Sequence, residues 1–286
     1  MITCNLMGGL GNQLFQIFTT ISNAIKIKSR FAFIDVDKLG GGQTIVRPTY
    51  WDNFLKNLKP FTTKNFPQMV VVKEKGFTYN FIDLQKYNKY NNPNQNAICL
   101  YGYFQSYKYF AENFHTICRI IGLEDMKKSV INKSGFTQDA LNDTTSLHFR
   151  LGDYKKIQHY HPIMTLEYYK RSLGLLLLKE PNRRNILYFC EEEDVEDVNK
   201  TIANLKINYP TLNFIRASND LSDWEQMILM SCCRDNIIAN SSFSWWGAYF
   251  NMNPYKIVYY PALWFGDAAG HDTRDLCPID WNKITV

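Results

Sequence analysis

Residues 2–35 read ITCNLMGGLGNQLFQIFTTISNAIKIKSRFAFID. Ile2–Leu6 is a short apolar run of strand type, and Met7–Asn12 is a glycine-rich turn. From Gln13 to Lys28 the apolar residues Leu14, Ile17, Phe18, Ile21, Ala24 and Ile25 recur with a helical period. Phe31–Asp35 is again strand-like. Strand, turn, helix and strand in that order predict a Rossmann-like layer.

Working outward, the spacing predicts a helix over Tyr50–Lys59, a strand over Met69–Glu74 and an exposed loop over Lys86–Asn96. A strand over Ala97–Phe104 and a helix over Tyr107–Ile121 follow. The second half alternates more plainly. Strands are expected at Thr145–Arg150, Ile186–Cys190, Leu212–Ala217, Asn236–Asn240 and Lys256–Tyr260. Helices are expected at Leu166–Leu178 with Thr165 as N-cap, Val195–Leu205, Asp223–Cys233 and Trp245–Asn251. The third of these opens with the capping box Ser222-x-x-Glu225. Alternation of this kind implies parallel sheets. The expected class is α/β, in two Rossmann-like layers: residues 1–140 and residues 141–286.

The 286 residues are 45% hydrophobic and 21% charged, a globular composition. Net charge is +5, with basic residues scattered rather than in the blocks that bind nucleic acid. That mild excess suits an anionic ligand. Seven cysteines, an odd number, show no C-x-x-C spacing, which argues against a disulfide framework or structural zinc and for a reducing, cytoplasmic setting. The first residues lack a basic, then apolar, leader pattern. The longest apolar run, Leu173–Leu178, is far below the ~20 residues of a membrane span. Asn132, Asn142, Asn199 and Asn240 head N-x-S/T triplets, read as chance matches without secretion.

Three segments carry chemistry. In Gly8-Gly9-Leu10-Gly11-Asn12-Gln13, glycines permit close backbone approach and a helix start offers N–H groups to an anion. Leu14 stands where a dinucleotide fingerprint needs glycine or alanine, and no G-x-x-x-x-G-K-[ST] exists. The glycines alone fit a plain tight turn equally well; Asn12 and Gln13 add amides to it. His148-Phe149-Arg150-Leu151-Gly152-Asp153-Tyr154 ends a strand, where α/β folds bind ligands, and Arg150 has the fork for a diphosphate. The same residues fit a strand-end Arg150–Asp153 ion pair. Asn240-Ser241-Ser242-Phe243-Ser244 places three hydroxyls at a helix start, a second anion-binding turn, or simply one capping serine before core tryptophans.

Other patterns are read structurally. Asp35-Val36-Asp37 has the D-x-D form of a metal site but reads as an acidic strand-end turn. Glu191–Asp194 reads as a solvated cap favourable to the helix dipole. His159 and His161 lack a third ligand at matching spacing, so no metal site is expected.

Together, GGLGNQLFQ (8–16), GYFQSYKYF (102–110), HFRLGDY (148–154) and DNIIANSSFSWWGAYF (235–250) resemble the α-1,2-fucosyltransferases of the bacterial and animal type, glycosyltransferase family 11. The resemblance implies the GT-B arrangement, two Rossmann-like layers facing across a cleft. It implies GDP-fucose as donor substrate, a galactose-containing oligosaccharide as acceptor, inversion at the anomeric carbon, and no metal or other cofactor. By position, Arg150 holds the diphosphate and offsets charge on the departing GDP, with His148 and Asp153 supporting it or touching the donor. Asp153 is also the first candidate for the base that deprotonates the acceptor hydroxyl. Gly9, Gly11, Asn12 and Gln13 from the first layer, and Asn240, Ser241, Ser242, Phe243 and Ser244 from the second, are the donor contacts. Tyr103, Phe104 and Gln105 are the acceptor contacts. Acceptor choice is placed in residues 40–96. Where the family usually has a second arginine after Arg150, this chain has Leu151; either Arg150 suffices or another basic residue, such as Lys155 or Lys156, substitutes.

Three other readings stay open: a fucosyltransferase of another linkage, a non-catalytic nucleotide- or glycan-binding module, and an NAD-dependent oxidoreductase suggested only by the Rossmann pattern.

Overall fold

The structure, a computed structural model, describes residues 1–40, 45–88 and 97–286. The chain divides into two compact units, Met1–Met126 with His271–Pro278, and Lys127–Gly270 with Ile279–Val286.

The first unit starts with β1 (Ile2–Cys4) and α1 (Leu10–Lys26). Four two-residue strands follow: β2 (Phe33–Ile34), β3 (Lys38–Leu39), β4 (Arg47–Pro48) and β5 (Thr62–Thr63). Then come β6 (Met69–Lys73), α2 (Gln85–Asn88), β7 (Ala97–Tyr101) and α3 (Phe114–Ile121). Its main sheet is parallel with order β1-β7-β6. Helix α1 is buried on nearly every side. Phe15 and Phe18 pack against Phe110 at 5.9 and 5.6 Å between ring centres, and Gln16, Thr19, Thr20 and Ser22 are sealed with them. Buried polar groups are tolerated only when hydrogen-bonded. Thr20 and Asn23 accordingly donate to the carbonyls of Gln16 and Thr19, each at 2.8 Å.

Several expectations for this unit change. Residues Phe31–Asp35 form a single bridge at Phe31 and the two-residue β2, which pairs with β5. Over Tyr50–Lys59 there is no α-helix; a 3-10 segment at Lys56–Phe61 ends the stretch, with Pro60 inside it, where no amide hydrogen exists to continue a helix. The Tyr107–Ile121 helix breaks into two 3-10 turns before α3, with Phe110 leaving the helical region between them. Within Lys86–Asn96, residues 86–88 end a short helix and 89–96 lie outside the described residues.

Helix α4 (Leu123–Ser134) carries the chain across the division between units, 126/127 rather than the 140/141 expected from the sequence. The far end of α4 belongs with the second unit, because Lys133 pairs with Glu225 at 2.7 Å. The second unit continues through α5 (Gln138–Asn142), β8 (Thr144–His148), α6 (Leu166–Lys179), β9 (Asn185–Phe189), α7 (Val195–Asn208), β10 (Asn213–Arg216), α8 (Asp223–Cys232), β11 (Asp235–Ile237), α9 (Ser242–Tyr249), β12 (Val258–Pro261) and β13 (Asn282–Ile284). All six strands are parallel, in order β10-β9-β8-β11-β12-β13. The α/β class with parallel sheets is therefore present. Thr165 caps α6 and the Ser222/Glu225 capping box opens α8, as the sequence indicates.

This strand order places a reversal in the sheet. From β8 the chain winds outward to β9 and β10, then returns to the other side of β8 with β11 and winds away through β12 and β13. The C-terminal ends of β8 and β11 thus flank the switch point, the position at which open α/β sheets form a ligand crevice.

Candidate functional site

At the β8 end His148 is 7% exposed, its ring 5.6 Å from that of Phe243. Burial first, and then the Arg150 charge, depress its pKa to about 3, so the imidazole stays neutral at ordinary pH. Arg150 follows, with its two arms on the carboxylates of Asp153 and Glu191. Its guanidinium lies 5.1 Å from the centre of the Tyr154 ring. The expected Arg150–Asp153 pair is present, but it is half of a two-carboxylate clamp.

The second half comes from the loop after β9, and this corrects the reading of Glu191–Asp194 as a solvated cap. Asp194 is 1% exposed, accepts the Gly152 N–H at 2.7 Å and pairs with Lys155 at 2.8 Å. Gly152 has φ +36, and a Cβ there would sit 2.7 Å from Glu191 Oε2. Glycine is therefore what lets Glu191 lie across the turn to reach Arg150. Lys155 is tied to Asp194 and Asp197. Leu151 packs against the hydrophobic core of the sheet.

Tyr154 joins this turn to the next one. Its O–H donates to the Asn240 carbonyl at 3.1 Å, and its ring stacks on His161 at 4.7 Å. The Asn240 amide donates to the carbonyls of Pro162 and Trp264 at 2.9 and 3.0 Å, so it pins two loops. Ser241 caps α9 by accepting the Phe243 N–H, and the Ser244 hydroxyl, fully buried, faces the carbonyls of Ala239 and Ser241. Trp245 and Trp246 are core. Ser242 is partly exposed, and among the described residues no hydrogen bond to its hydroxyl is seen. Of the expected donor contacts here, Ser242 and Phe243 keep surface at the switch point; Asn240, Ser241 and Ser244 serve the fold.

In the first unit, α1 starts at Gly9 without a side-chain cap. Gly8 has φ +77, and a Cβ there would lie 2.6 Å from Asn12 Nδ2. At Gly9 a Cβ would meet nothing within 4 Å, so no neighbour demands glycine. The turn is clipped by Gln16, which accepts the Met7 N–H at 2.9 Å and donates to the Met7 carbonyl at 3.2 Å. The sequence reading missed Gln16, although it lies on the same helix face as Gln13. Gln13 itself is 1% exposed, and its amide N–H groups go to Gly8 O and Pro48 O at 3.0 and 2.8 Å. Its amide N–H groups thus hold the turn. Asn12 accepts from Gln105 at 2.8 Å, so one expected donor contact and one expected acceptor contact meet within this unit.

The strand expected to run to Phe104 ends at Tyr101. Phe104 sits at φ +53 and is 1% exposed, its ring edge-on to Tyr109 at 5.4 Å, so no face remains for a sugar. Tyr103 is 41% exposed and presents its ring. Asp35 pairs with Lys59 at 3.1 Å, and His161 packs between Tyr154 and Phe265. Among the described residues, no three His, Cys, Asp or Glu side chains are grouped to hold a metal. Nor is any helix among them long and apolar enough to cross a membrane.

A family model described as Glycosyl transferase family 11 matches residues 1–284. The chain belongs to that family. Its relatives include the O-antigen biosynthesis glycosyltransferase WbnK of Escherichia coli, 26% identical over 99% of this chain and 100% of that protein. An α-1,2-colitosyltransferase of E. coli is 25% identical over 99% of each. A galactoside 2-α-L-fucosyltransferase of Caenorhabditis elegans is 22% identical over 99% of this chain and 79% of its own length. This family 11 chain is thus a glycosyltransferase homologue along its whole length.

Proposed function

We propose that the chain transfers fucose from GDP-fucose to the 2-hydroxyl of a terminal galactose, with inversion and without a metal. The observation that carries this reading is Arg150 at the switch point between β8 and β11, beside the Ser242–Phe243 start of α9. A guanidinium and a helix start together favour a diphosphate. In displacement at the anomeric carbon the negative charge grows on the departing GDP. Arg150 is assigned to stabilise it, a role worth ~10³–10⁵ in rate for arginines in phosphoryl transfer. Neutral His148 is assigned to fill the strand end against the Phe243 ring without adding charge. Asp153, engaged with Arg150, is assigned to orient the guanidinium rather than to take the acceptor proton. Gly9, Gly11 and Asn12 are assigned to the sugar end of the donor, and Tyr103 with Gln105 to the acceptor.

The test is GDP release from GDP-fucose with lactose and EDTA present. Wild type is expected to turn over, and Arg150→Ala to lose at least about 10³ in rate. No consumption of GDP-fucose with any β-galactoside sinks the reading. The colitosyl relative motivates a second donor, and a preference for a colitose donor would move the sugar while leaving the reaction class in place.

A further inference from the structure

We propose that Glu74 is a positioning residue that holds the Gly102–Gln105 turn in the shape that delivers Gln105 to Asn12. The inference rests on the assignment of that turn to the acceptor.

Glu74 is the residue after β6, and its own N–H donates to the Tyr101 carbonyl at 2.8 Å, continuing the ladder one step. Its side chain then reaches over the end of β7. Oε2 accepts two consecutive backbone N–H groups, from Tyr103 at 2.8 Å and Phe104 at 3.0 Å. Room for this is made by Gly102: a Cβ there would lie 2.3 Å from the Cβ of Glu74. The carboxylate occupies the volume a side chain at 102 would fill.

The turn so gripped is an improbable one. Phe104 adopts a left-handed φ of +53, which a bulky L-residue holds only when its surroundings over-determine it. Two bonds from one carboxylate to the successive peptides on either side of the Tyr103 Cα, and the Phe104 ring buried on Tyr109, supply that constraint. The reversal sends Gln105 back to Asn12 at 2.8 Å, and Ser106 then anchors the far side through its hydroxyl to the Asp275 carbonyl at 2.6 Å.

The arrangement has a cost that a purely structural grip would avoid. Oε1 of Glu74 is buried, and among the described residues it has no hydrogen-bond partner. Burial accordingly raises the Glu74 pKa, against the lowering effect of the two backbone bonds. A buried, half-satisfied carboxylate in a strained turn is the signature of a site kept for geometry rather than for stability. Nothing in the local pattern marks it, since Glu74 follows three valines and a lysine as an ordinary strand-end acid.

Two readouts test the assignment. Without any substrate, hydrogen exchange at the Tyr103 and Phe104 amides is expected to speed up at least tenfold in Glu74→Ala, with α1 unchanged; unchanged exchange at 103 and 104 overturns the proposal. With GDP-fucose and lactose, Glu74→Ala is expected to raise the lactose KM about tenfold while the donor KM stays within twofold. Glu74→Gln, which keeps an acceptor oxygen but gives up the charge that strengthens such bonds, is expected to fall between. In a Gln105→Ala background the further change to Glu74→Ala should add nothing. A loss confined to kcat, parallel to a lower melting temperature and additive with Gln105→Ala, overturns it. Should Glu74→Ala fail to fold, the same comparison is made with Glu74→Gln, where an unshifted lactose KM and unshifted exchange overturn the proposal. Inactive wild type would count against the fucosyl-transfer reading, while the exchange experiment still decides the role of Glu74.

Discussion

The turn after β1 and the turn after β8 both end a parallel strand, yet they are held in opposite ways. Around Gly8–Asn12 every fastening is neutral: Gln16 clips Met7, Gln13 ties Gly8 to Pro48, and Asn12 meets Gln105. Around Arg150 the fastenings are ionic and partly exposed, with Glu191 at 50% and Asp153 at 37% side-chain exposure. Exposed ion pairs contribute only about 0–1 kcal/mol each and are screened by salt. Amide bonds to buried backbone are insensitive to salt, and losing one leaves buried groups unpaired at about 1–3 kcal/mol. A neutral, fixed turn suits hydroxyl-rich sugars. A clamp of partly exposed ion pairs suits the proposed role of Arg150, in which it trades its carboxylates for a diphosphate.

The sharpest way to break this contrast is at Arg150. Arg150→Lys keeps the charge and loses the fork, so turnover is expected to fall by at least about 10²; near-normal turnover would show that charge alone matters. Next in size, Gln16→Leu removes both bonds to Met7 and should cost about 2 kcal/mol in denaturant unfolding, equally in low and high salt. A strong salt dependence there would erase the distinction between the turns.

His148 gives a pH test of the charged side. Its folded pKa, about 3, lies below the ordinary histidine value. The unfolded chain therefore takes up a proton first, and stability should decline as pH falls from about 6.5 toward 3, by up to about 1.4 kcal/mol per pH unit. His148→Phe should flatten that slope; an unchanged slope would mean His148 is not the group responsible. Smaller still, Glu191→Gln frees one arm of Arg150 and is expected to lower the GDP-fucose KM about threefold in low salt. The gain should vanish in high salt, and a raised KM would instead make Glu191 a support for Arg150. Smallest in stability is Gly9→Ala, within about 0.5 kcal/mol because the added methyl meets nothing. If the donor sugar approaches that turn, its KM should still rise; an unchanged KM would detach Gly9 from the donor.

The two halves also differ in how much of them is legible as sequence. In the second unit, apolar runs of four to six residues alternate with helices that announce their starts, at Thr165 and at Ser222-x-x-Glu225. Arg150 and His148 are readable there because a strand-end position follows from the run that precedes them. In the first unit, β2 to β5 are two residues each, too short for any period to register, and Pro60 and Phe110 interrupt segments that look helical. Supports of the turns after β7, β8 and β11 were hidden for one reason. Glu191 lies 41 positions from Arg150, Glu74 lies 29 from Tyr103, and Asn240 lies 78 from Pro162. Local pattern says where a side chain starts, but only the fold says what it reaches. Asn240, Gln13 and Phe104 each have inward partners that local pattern does not reveal.

The return of His271–Pro278 to the first unit has a consequence for inheritance between relatives. Asp275 takes the Tyr79 N–H at 3.0 Å, pairs with Lys108 and offers its carbonyl to Ser106. A gene recombined once, anywhere between codons 127 and 270, would pair the Gly102–Gln105 turn of one parent with the brace of the other. Exchanging second units cleanly therefore takes a third junction that leaves 271–278 with its original N-terminal half, and natural recombinants should keep Ser106, Lys108 and Asp275 together as one linked set.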